Sequence, residues 1–254
     1  MTDQIDNFVH SNDQALAQEP QLLGEKWDQA ISYKAYLEWI DQLLAENKTT
    51  GDNHSEAMIH YTVMNRHRMR RIEKYTDLRD DAAAALAEIA SPQDWLVLTE
   101  AWCGDAAQSI PVMHLMAEQC DNVRLRLLLR DEHPELMDRF LYRGRSRSIP
   151  RLIVMDRGSR TTLGVWGPRP AEAQKLYESA VQEPDFSYQE VAEELQKWYA
   201  NDRTEAIQRE LVALLRGIRQ GEVRQDEGRQ GDVRSGEVRQ DEVRQGSMQQ
   251  SLQR

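Results

Sequence analysis

The fold of this chain is most readable at one segment, Trp95-Leu-Val-Leu-Thr-Glu-Ala-Trp-Cys-Gly-Asp-Ala-Ala107. Its first four residues are apolar and too few for an amphipathic helix, so they predict a short strand buried on both faces. Gly104 supplies a turn, and apolar residues then recur at helical spacing from Ile110 to Ala117. We therefore expect Cys103 where a strand ends and a helix begins, because free backbone N–H groups and the helix dipole favour a thiolate there.

The motif at the end of this predicted strand resembles the active site of the thioredoxin superfamily. Trp102-Cys-Gly-Asp-Ala106 is similar to the Trp-Cys-Gly-Pro-Cys run of thioredoxins. Ser148-Ile-Pro150, followed by the apolar residues 151–155, resembles the cis-proline and its strand. A hairpin turn comes next, and Gly167 falls near the glycine that precedes the last helix of the family. The resemblance covers about residues 94–181.

This resemblance implies a thioredoxin-like three-layer α/β fold. It assigns the catalytic positions to Trp102, Cys103 and Pro150, with Asp105 and Ile149 as further candidates for binding. Within the superfamily, the chain is most similar to bacterial "thioredoxin family proteins" that have a Trp-Cys-Gly-Asp motif and a helical N-terminal extension. The implied partner is a protein or a low-molecular-weight thiol, and no cofactor is expected.

Two positions depart from the thioredoxin pattern. Ala106 stands where the second cysteine is expected, and Val97 stands where thioredoxins bury an acid. Without a resolving thiol, a dithiol cycle cannot close within the motif. The other cysteine, Cys120, is separated from Cys103 by a predicted helix of about 24 Å. A disulfide requires Cα atoms within about 7 Å, so we expect no internal pair.

Composition restricts the class of protein. The 254 residues are 40% hydrophobic and 30% charged, which is typical of a globular protein. We expect a cytoplasmic location, since both cysteines are predicted to be unpaired, no apolar run approaches 20 residues and the N-terminus lacks the pattern of a signal peptide. The net charge of -11 argues against nucleic acid or a membrane surface as a partner. The six histidines show no ligand spacing, so we predict no metal.

The sequence divides into five segments. We expect a flexible N-terminal arm over residues 1–24, a helical extension over 25–92, the thioredoxin-like domain over 93–183 and C-terminal helices that pack on it over 184–216. Residues 217–254 contain five-residue repeats, which move each valine to a new face of a helix or strand. No apolar surface can form, so we predict a disordered tail.

Three helices are predicted within the helical extension. The first follows Ser32 as its cap, the second runs from about Glu56 to Lys74, and the third runs from Asp77 to Ala90. The second of these helices is less regular than the others. Asn65 interrupts its apolar stripe, and basic residues surround Arg68. The basic surface is either solvated, or the helix lies across the mouth of the site and these two residues contact a ligand or hold the cysteine loop.

Residues 123–130 predict a second strand, because apolar and charged residues alternate at its start and a continuous apolar run follows. A right-handed crossover makes this strand parallel to the first, so Arg130 and Asp131 should reach the same sheet edge as Cys103. Asp131 can also cap the helix that begins near Pro134.

The loop before Pro150 carries Arg143, Arg145 and Arg147. These arginines either lower the pKa of the thiol or hold a carboxylate or phosphate, or they are simply solvated. Trp166 either lines the groove or packs in the core.

Two functions fit these observations. In the first, Cys103 attacks a disulfide or another electrophile, and glutathione, bacillithiol or a partner thiol resolves the mixed disulfide. In the second, a degenerate thioredoxin-like module binds a peptide or protein without redox chemistry. Trp102, Cys103 and Pro150 favour the first function, whereas Ala106 and Val97 favour the second.

Overall fold

The computed structural model describes residues 19–221. The helices are α1 (residues 19–29), α2 (Tyr33–Ala45), α3 (Glu56–Tyr75), α4 (Asp80–Ala87), α5 (Gly104–Ala117), α6 (Pro134–Arg139), α7 (Ala171–Val181), α8 (Tyr188–Asp202) and α9 (Glu205–Arg219). The strands are β1 (Gln93–Thr99), β2 (Val123–Leu129), β3 (Arg151–Asp156) and β4 (Thr162–Trp166).

These strands form one mixed sheet in the order β2-β1-β3-β4. β1 pairs in parallel with β2 and antiparallel with β3, and β4 pairs antiparallel with β3. All residues of β1 are buried, and its central apolar run, Trp95 to Leu98, is typical of a strand that is covered on both faces. A mixed sheet with flanking helices confirms the fold class predicted from the sequence.

The crossover from β1 through α5 to β2 determines which side chains meet at the sheet edge. Thr99, the last residue of β1, is the register partner of Leu129, the last residue of β2. The N–H of Arg130 continues this ladder by donating to the Thr99 carbonyl oxygen at 3.0 Å. The cysteine loop and the residues after β2 therefore lie at the same edge, as predicted.

The helices outside residues 93–183 share the core of the sheet. Buried side chains of α1, α2 and α9 belong to the same apolar cluster as those of β1, β3 and α5. α7 and α8 pack around a smaller cluster that contains Ala173, Val191 and Leu195. The N-terminal helices and α9 are therefore integral to the folded unit.

The predicted helix cap at Ser32 is confirmed, and Ser187 forms a second cap of the same kind. Ser32 accepts a hydrogen bond from the Ala35 N–H at 3.2 Å at the start of α2, and Ser187 accepts one from the Glu190 N–H at 3.4 Å at the start of α8. The predicted cap by Asp131 is not formed, since α6 begins at Pro134 with His133 as its N-cap.

The N-terminal boundary differs from the prediction. Residues 19–24 were expected in a flexible arm but are helical, and Leu23 is fully buried. Leu23 and Trp27 lie one helical turn apart and both enter the core. The guanidinium groups of Arg124 and Arg126 lie over the Trp27 ring at 5.2 and 4.9 Å. Residues 1–18 of the predicted arm lie outside the described residues.

Two further boundaries also differ. The helix predicted over residues 77–90 is shorter at both ends, since α4 covers only Asp80–Ala87. Residues 217–219, expected in the tail, form the last part of α9, and the repeats from residue 222 onward lie outside the described residues. Between residues 19 and 221, none of the helices has both the length and the apolar character that crossing a bilayer requires.

Candidate functional site

Cys103 is the N-cap residue of α5, at the junction predicted from the sequence. Its side chain is 8% exposed, and Sγ donates a weak hydrogen bond to the Ile149 carbonyl oxygen at 3.4 Å. The peptide bond between Ile149 and Pro150 is cis. The loop before β3 therefore faces the cysteine, as the resemblance implied.

Gly167, the residue directly after β4, lies against the loop that contains Pro150. It has a φ of +115°, which favours glycine, and a Cβ atom at this position would lie 2.1 Å from the Pro150 carbonyl oxygen. Only a residue without a side chain fits, so the end of β4 can approach the start of β3.

The cysteine loop is held from the helical extension. Asn65 of α3 is 1% exposed, and its Nδ2 donates to the Ala101 carbonyl oxygen at 2.9 Å. The Ala101 N–H donates to Thr50 Oγ1 at 2.9 Å, and Arg68 donates to Asn65 Oδ1 at 2.7 Å. Asn65 of α3 therefore holds the cysteine loop, while His67, Arg70 and Arg71 of the same helix are exposed to solvent.

Asp105 is the centre of a buried polar cluster that sequence reasoning missed in part. Its Oδ2 accepts from Arg169 Nε and Nη2 at 3.0 and 2.7 Å, and its Oδ1 accepts from the Tyr199 hydroxyl at 2.7 Å. Arg169 also donates to Gln174 at 2.9 Å and lies 4.4 Å from the centre of the Tyr177 ring. This cluster ties α7 and α8 to the cysteine helix.

α8 covers the start of α5. Gln108 Nε2 donates to Gln196 Oε1 at 2.7 Å, and a Cβ atom on Gly104 would lie 3.0 Å from Gln196 Nε2. The C-terminal addition therefore covers the N-terminal part of α5.

A cavity of about 1000 Å³ adjoins Cys103. Its walls come from the loop before α3, α3 itself, the cysteine loop, the loop before β3, α7 and α8. The cavity brings together most of the candidate residues chosen from the sequence, namely Asn65, Arg68, Trp102, Cys103, Asp105, Arg130, Asp131, Arg145 and Ile149.

Three candidates do not line this cavity. Pro150 is buried and is not among the residues that line the cavity. Arg147 forms an ion pair with Asp138 at 2.7 Å. Trp166 is a core residue whose Nε1 donates to Glu210 of α9 at 2.8 Å, so it packs rather than lines the groove.

The comparisons with known proteins agree with this architecture. A family model described as thioredoxin matches residues 51–183. This chain belongs to the thioredoxin family. No curated protein matches it significantly.

Two solved structures are similar to the chain at low identity. One is a protein of unknown function from Pseudomonas aeruginosa, with 16% identity and a TM-score of 0.49 over 75% of this chain and 94% of that one. The other is an HIV epitope scaffold, with 17% identity and a TM-score of 0.46 over 74% of this chain and 99% of that one.

The surroundings of the thioredoxin-type cysteine disfavour its ionisation. Burial raises the pKa of Cys103 to about 12, and the negative charge of Asp105 adds to this rise. The Ala106 N–H and the guanidinium groups of Arg169 and Arg130 lower the pKa by less. The expected benefit of the helix N-terminus is therefore outweighed, and Cys103 is a thiol at neutral pH.

A buried acid is present near the cysteine loop, although Val97 is apolar. Glu100 is fully buried, and burial raises its pKa to about 7. Its Oε1 accepts from the Asp131 N–H at 3.0 Å, whereas Oε2 has no hydrogen-bond partner among residues 19–221. The only sequence signal for this residue is an acid that directly follows an apolar strand.

The described part of the chain contains no group of three or more His, Cys, Asp or Glu residues arranged to bind a metal ion. Cys103 and Cys120 are both free thiols. Cys120 lies beyond the far end of α5, where its Sγ donates to the Leu86 carbonyl oxygen at 3.4 Å. The chemistry that this site offers is therefore that of one thiol at the wall of a cavity.

Proposed function

We propose that this protein is a thiol–disulfide oxidoreductase that acts through Cys103 alone. The observation that carries the proposal is the position of Cys103 at the wall of a large cavity and against the loop of the cis-proline. Trp102 forms part of the same wall, with the Arg130 guanidinium 5.1 Å from its ring centre.

The proposed reaction begins when Cys103 loses its proton. The thiolate attacks one sulfur of a bound disulfide, the substrate S–S bond breaks, and a mixed disulfide forms on Cys103 while the released thiolate takes up a proton. A second thiol, such as glutathione, bacillithiol or a partner thiol, then attacks the mixed disulfide and restores Cys103. The second half of the substrate leaves as a mixed disulfide with the external thiol, and a further molecule of that thiol reduces it, so two external thiols are oxidised to one disulfide for each substrate disulfide that is reduced.

The external thiol is needed because the chain has no suitable resolving cysteine. Ala106 occupies the position of the second cysteine, and Cys120 lies at the opposite end of α5. Two free cysteines also fit a reducing compartment, so we place the protein in the cytoplasm. Within the thioredoxin family, we assign it to the bacterial group with a Trp-Cys-Gly-Asp motif.

A second function is favoured by the state of Cys103. A buried cysteine whose pKa is raised to about 12 by burial reacts slowly, and Ala106 removes the second thiol. These features favour a binding module of the thioredoxin fold that does not perform redox chemistry.

Turnover of a small disulfide with glutathione as reductant distinguishes the two functions. We expect the Cys120→Ser variant to keep full turnover and the Cys103→Ser variant to lose it. Mass spectrometry of the intact protein should show a glutathione adduct on Cys103 only. An intrachain disulfide between the two cysteines would refute the mechanism, and the absence of any Cys103 adduct would favour the binding module.

A further inference from the structure

Arg68 has an unusual position among the charged residues of the cavity wall. Its side chain is only partly exposed and donates to Asn65 Oδ1 at 2.7 Å. Among residues 19–221, no carboxylate lies within 4.0 Å of its guanidinium group. Burial lowers the pKa of Arg68, as expected for a cation that has lost water without gaining a counter-charge.

The other arginines of the wall are either neutralised or solvated. Arg145 is exposed to solvent. Three of them have carboxylate partners within ion-pair distance, and these pairs are Arg130–Asp131 at 2.8 Å, Arg143–Glu178 at 2.5 Å and Arg169–Asp105 at 2.7 Å. Arg68 is therefore the partly buried cation of this wall whose charge remains available to a ligand.

The Arg68 guanidinium also lies near the reactive position. Its Nη1 is 3.9 Å from the point that a Cβ atom on Gly104 would occupy, and Gly104 is the first residue of α5 directly after Cys103. An anionic group bound there would lie beside the cysteine, where the N-terminus of α5 also favours negative charge.

The cover over the cysteine limits the size of the ligand. α8 is fixed over α5 by the Gln108–Gln196 hydrogen bond and by the Tyr199–Asp105 hydrogen bond, both 2.7 Å long. Cys103 is largely shielded from solvent, but it contributes to the cavity wall. A cavity of about 1000 Å³ has the size of a site for a small molecule.

We propose that the substrate is a low-molecular-weight disulfide that carries a carboxylate or phosphate, and that Arg68 binds this anionic group beside Cys103. This inference rests on the proposed function for the reaction at the sulfur, but the binding site itself requires only Arg68 and the cavity. Arg68 is a binding residue supplied by the helical extension rather than by the sheet.

The test measures binding without chemistry. The full chain with Cys103→Ser is titrated by calorimetry with three disulfides of similar size, which are dithiodipropionate with carboxylates, the bisphosphate ester of 2-hydroxyethyl disulfide, and neutral 2-hydroxyethyl disulfide. At least one anionic disulfide should bind about tenfold more tightly than the neutral compound, because a hydrogen bond to a charged group is lost in the latter. If the carboxylate compound binds more tightly than the phosphate compound, Arg68 prefers a carboxylate, and the reverse order indicates a phosphate.

Variants of α3 supply the controls. Arg68→Gln should remove the preference for anionic disulfides, and Arg68→Lys should retain much of it because the charge remains. Arg70→Gln is the matched control, since Arg70 is exposed on the same helix and pairs with Asp41 at 3.7 Å. It should leave the preference unchanged.

Equal affinity for neutral and anionic disulfides in the Cys103→Ser protein would overturn the inference. An unchanged preference in folded Arg68→Gln protein would also overturn it. Failure of the proposed function has a different signature, since the wild-type protein would then bind the anionic disulfide but form no adduct on Cys103.

Discussion

Cys103 is the side chain on which the proposed chemistry depends, and its surroundings hold it in the protonated form. Since burial raises its pKa to about 12, the thiolate fraction should increase steadily as the pH rises through the range used in the labelling experiment below. We expect the rate of Cys103 alkylation in the Cys120→Ser variant to rise about tenfold for each pH unit from 7 to 10. Mass spectrometry after brief labelling measures this rate. A plateau below pH 9 would contradict the expectation.

Asp105 forms a buried ion pair with Arg169, so its replacement affects the stability of the protein. It also affects the pKa of Cys103, which the negative charge of Asp105 raises. Asp105→Asn leaves the Arg169 guanidinium buried without a counter-charge and should cost on the order of 3 kcal/mol. The matched control is Asp138→Asn, because Asp138 pairs with Arg147 at the surface and should cost less than about 1 kcal/mol. Urea denaturation measures both. Equal losses would show that the Asp105 pair has no special role.

Glu100 makes the stability of the protein depend on pH. Burial raises the pKa of Glu100 in the folded state to about 7, whereas the ordinary pKa of this carboxyl is 4.5. Between these values the folded state binds more protons, so stability should fall by about 3 kcal/mol as the pH rises from about 4.5 to about 7.

The Glu100→Gln variant should lack this part of the pH dependence and should be more stable than wild type at pH 8. Chemical denaturation at pH 5 and pH 8 measures the difference. Glu132→Gln, at an exposed position, should behave like wild type. A wild-type protein whose stability does not decrease over this interval would contradict the prediction.

Sequence reasoning located the cysteine and eight further residues of the cavity wall, but it did not identify the partners of Asp105. The motif and the crossover rule place Cys103, Arg130 and Asp131 at one edge. Arg169 and Tyr199 lie 64 and 94 residues beyond Asp105, and no local pattern connects them. Such pairs are created by the packing of α7 and α8, which a single sequence does not specify.

At the level of secondary structure, the strands were predictable because burial on both faces requires short apolar runs. Helix ends were less accurate. The helix predicted over residues 77–90 is only eight residues long, from Asp80 to Ala87, although its composition favours a helix throughout. The last helix extends beyond the predicted end, because Ile218 packs against the core.

The end of α9 leads to a prediction about truncation. Ile218 lies against Gly164 of β4, where a Cβ atom would be 3.3 Å from its Cδ1, and Arg219 donates to Glu88 at 2.5 Å. Truncation after Leu215 should therefore cost about 1 to 2 kcal/mol and a few degrees in melting temperature.

Truncation after Gly221 is the control, because it removes only residues beyond α9. We expect it to leave the melting temperature unchanged, since the five-residue repeats offer no continuous apolar face. A scanning calorimeter compares both truncated chains with the full chain. Equal melting temperatures for the two would show that the last turn of α9 contributes nothing.

For the whole molecule, the shared core predicts one cooperative unit. Leu23 of α1 is fully buried in the same cluster as the sheet, so Leu23→Ala should destabilise the entire protein by about 3 kcal/mol. Asp28→Ala, at an exposed position of the same helix, should have little effect. Circular dichroism and tryptophan fluorescence should report one coincident transition. Separate transitions would show that the N-terminal helices unfold independently.

The position of α8 also has a consequence for the second half of the proposed reaction. A mixed disulfide on Cys103, if it forms as proposed, would lie under α8, so the thiol that resolves it would pass through the same opening as the substrate. We therefore expect small thiols to resolve the proposed mixed disulfide faster than the active-site thiol of a protein reductase does. Under the proposed mechanism, α8 would thus select the electron donor by size, and the redox state of Cys103 would follow the cell's pool of small thiols rather than its protein reductases.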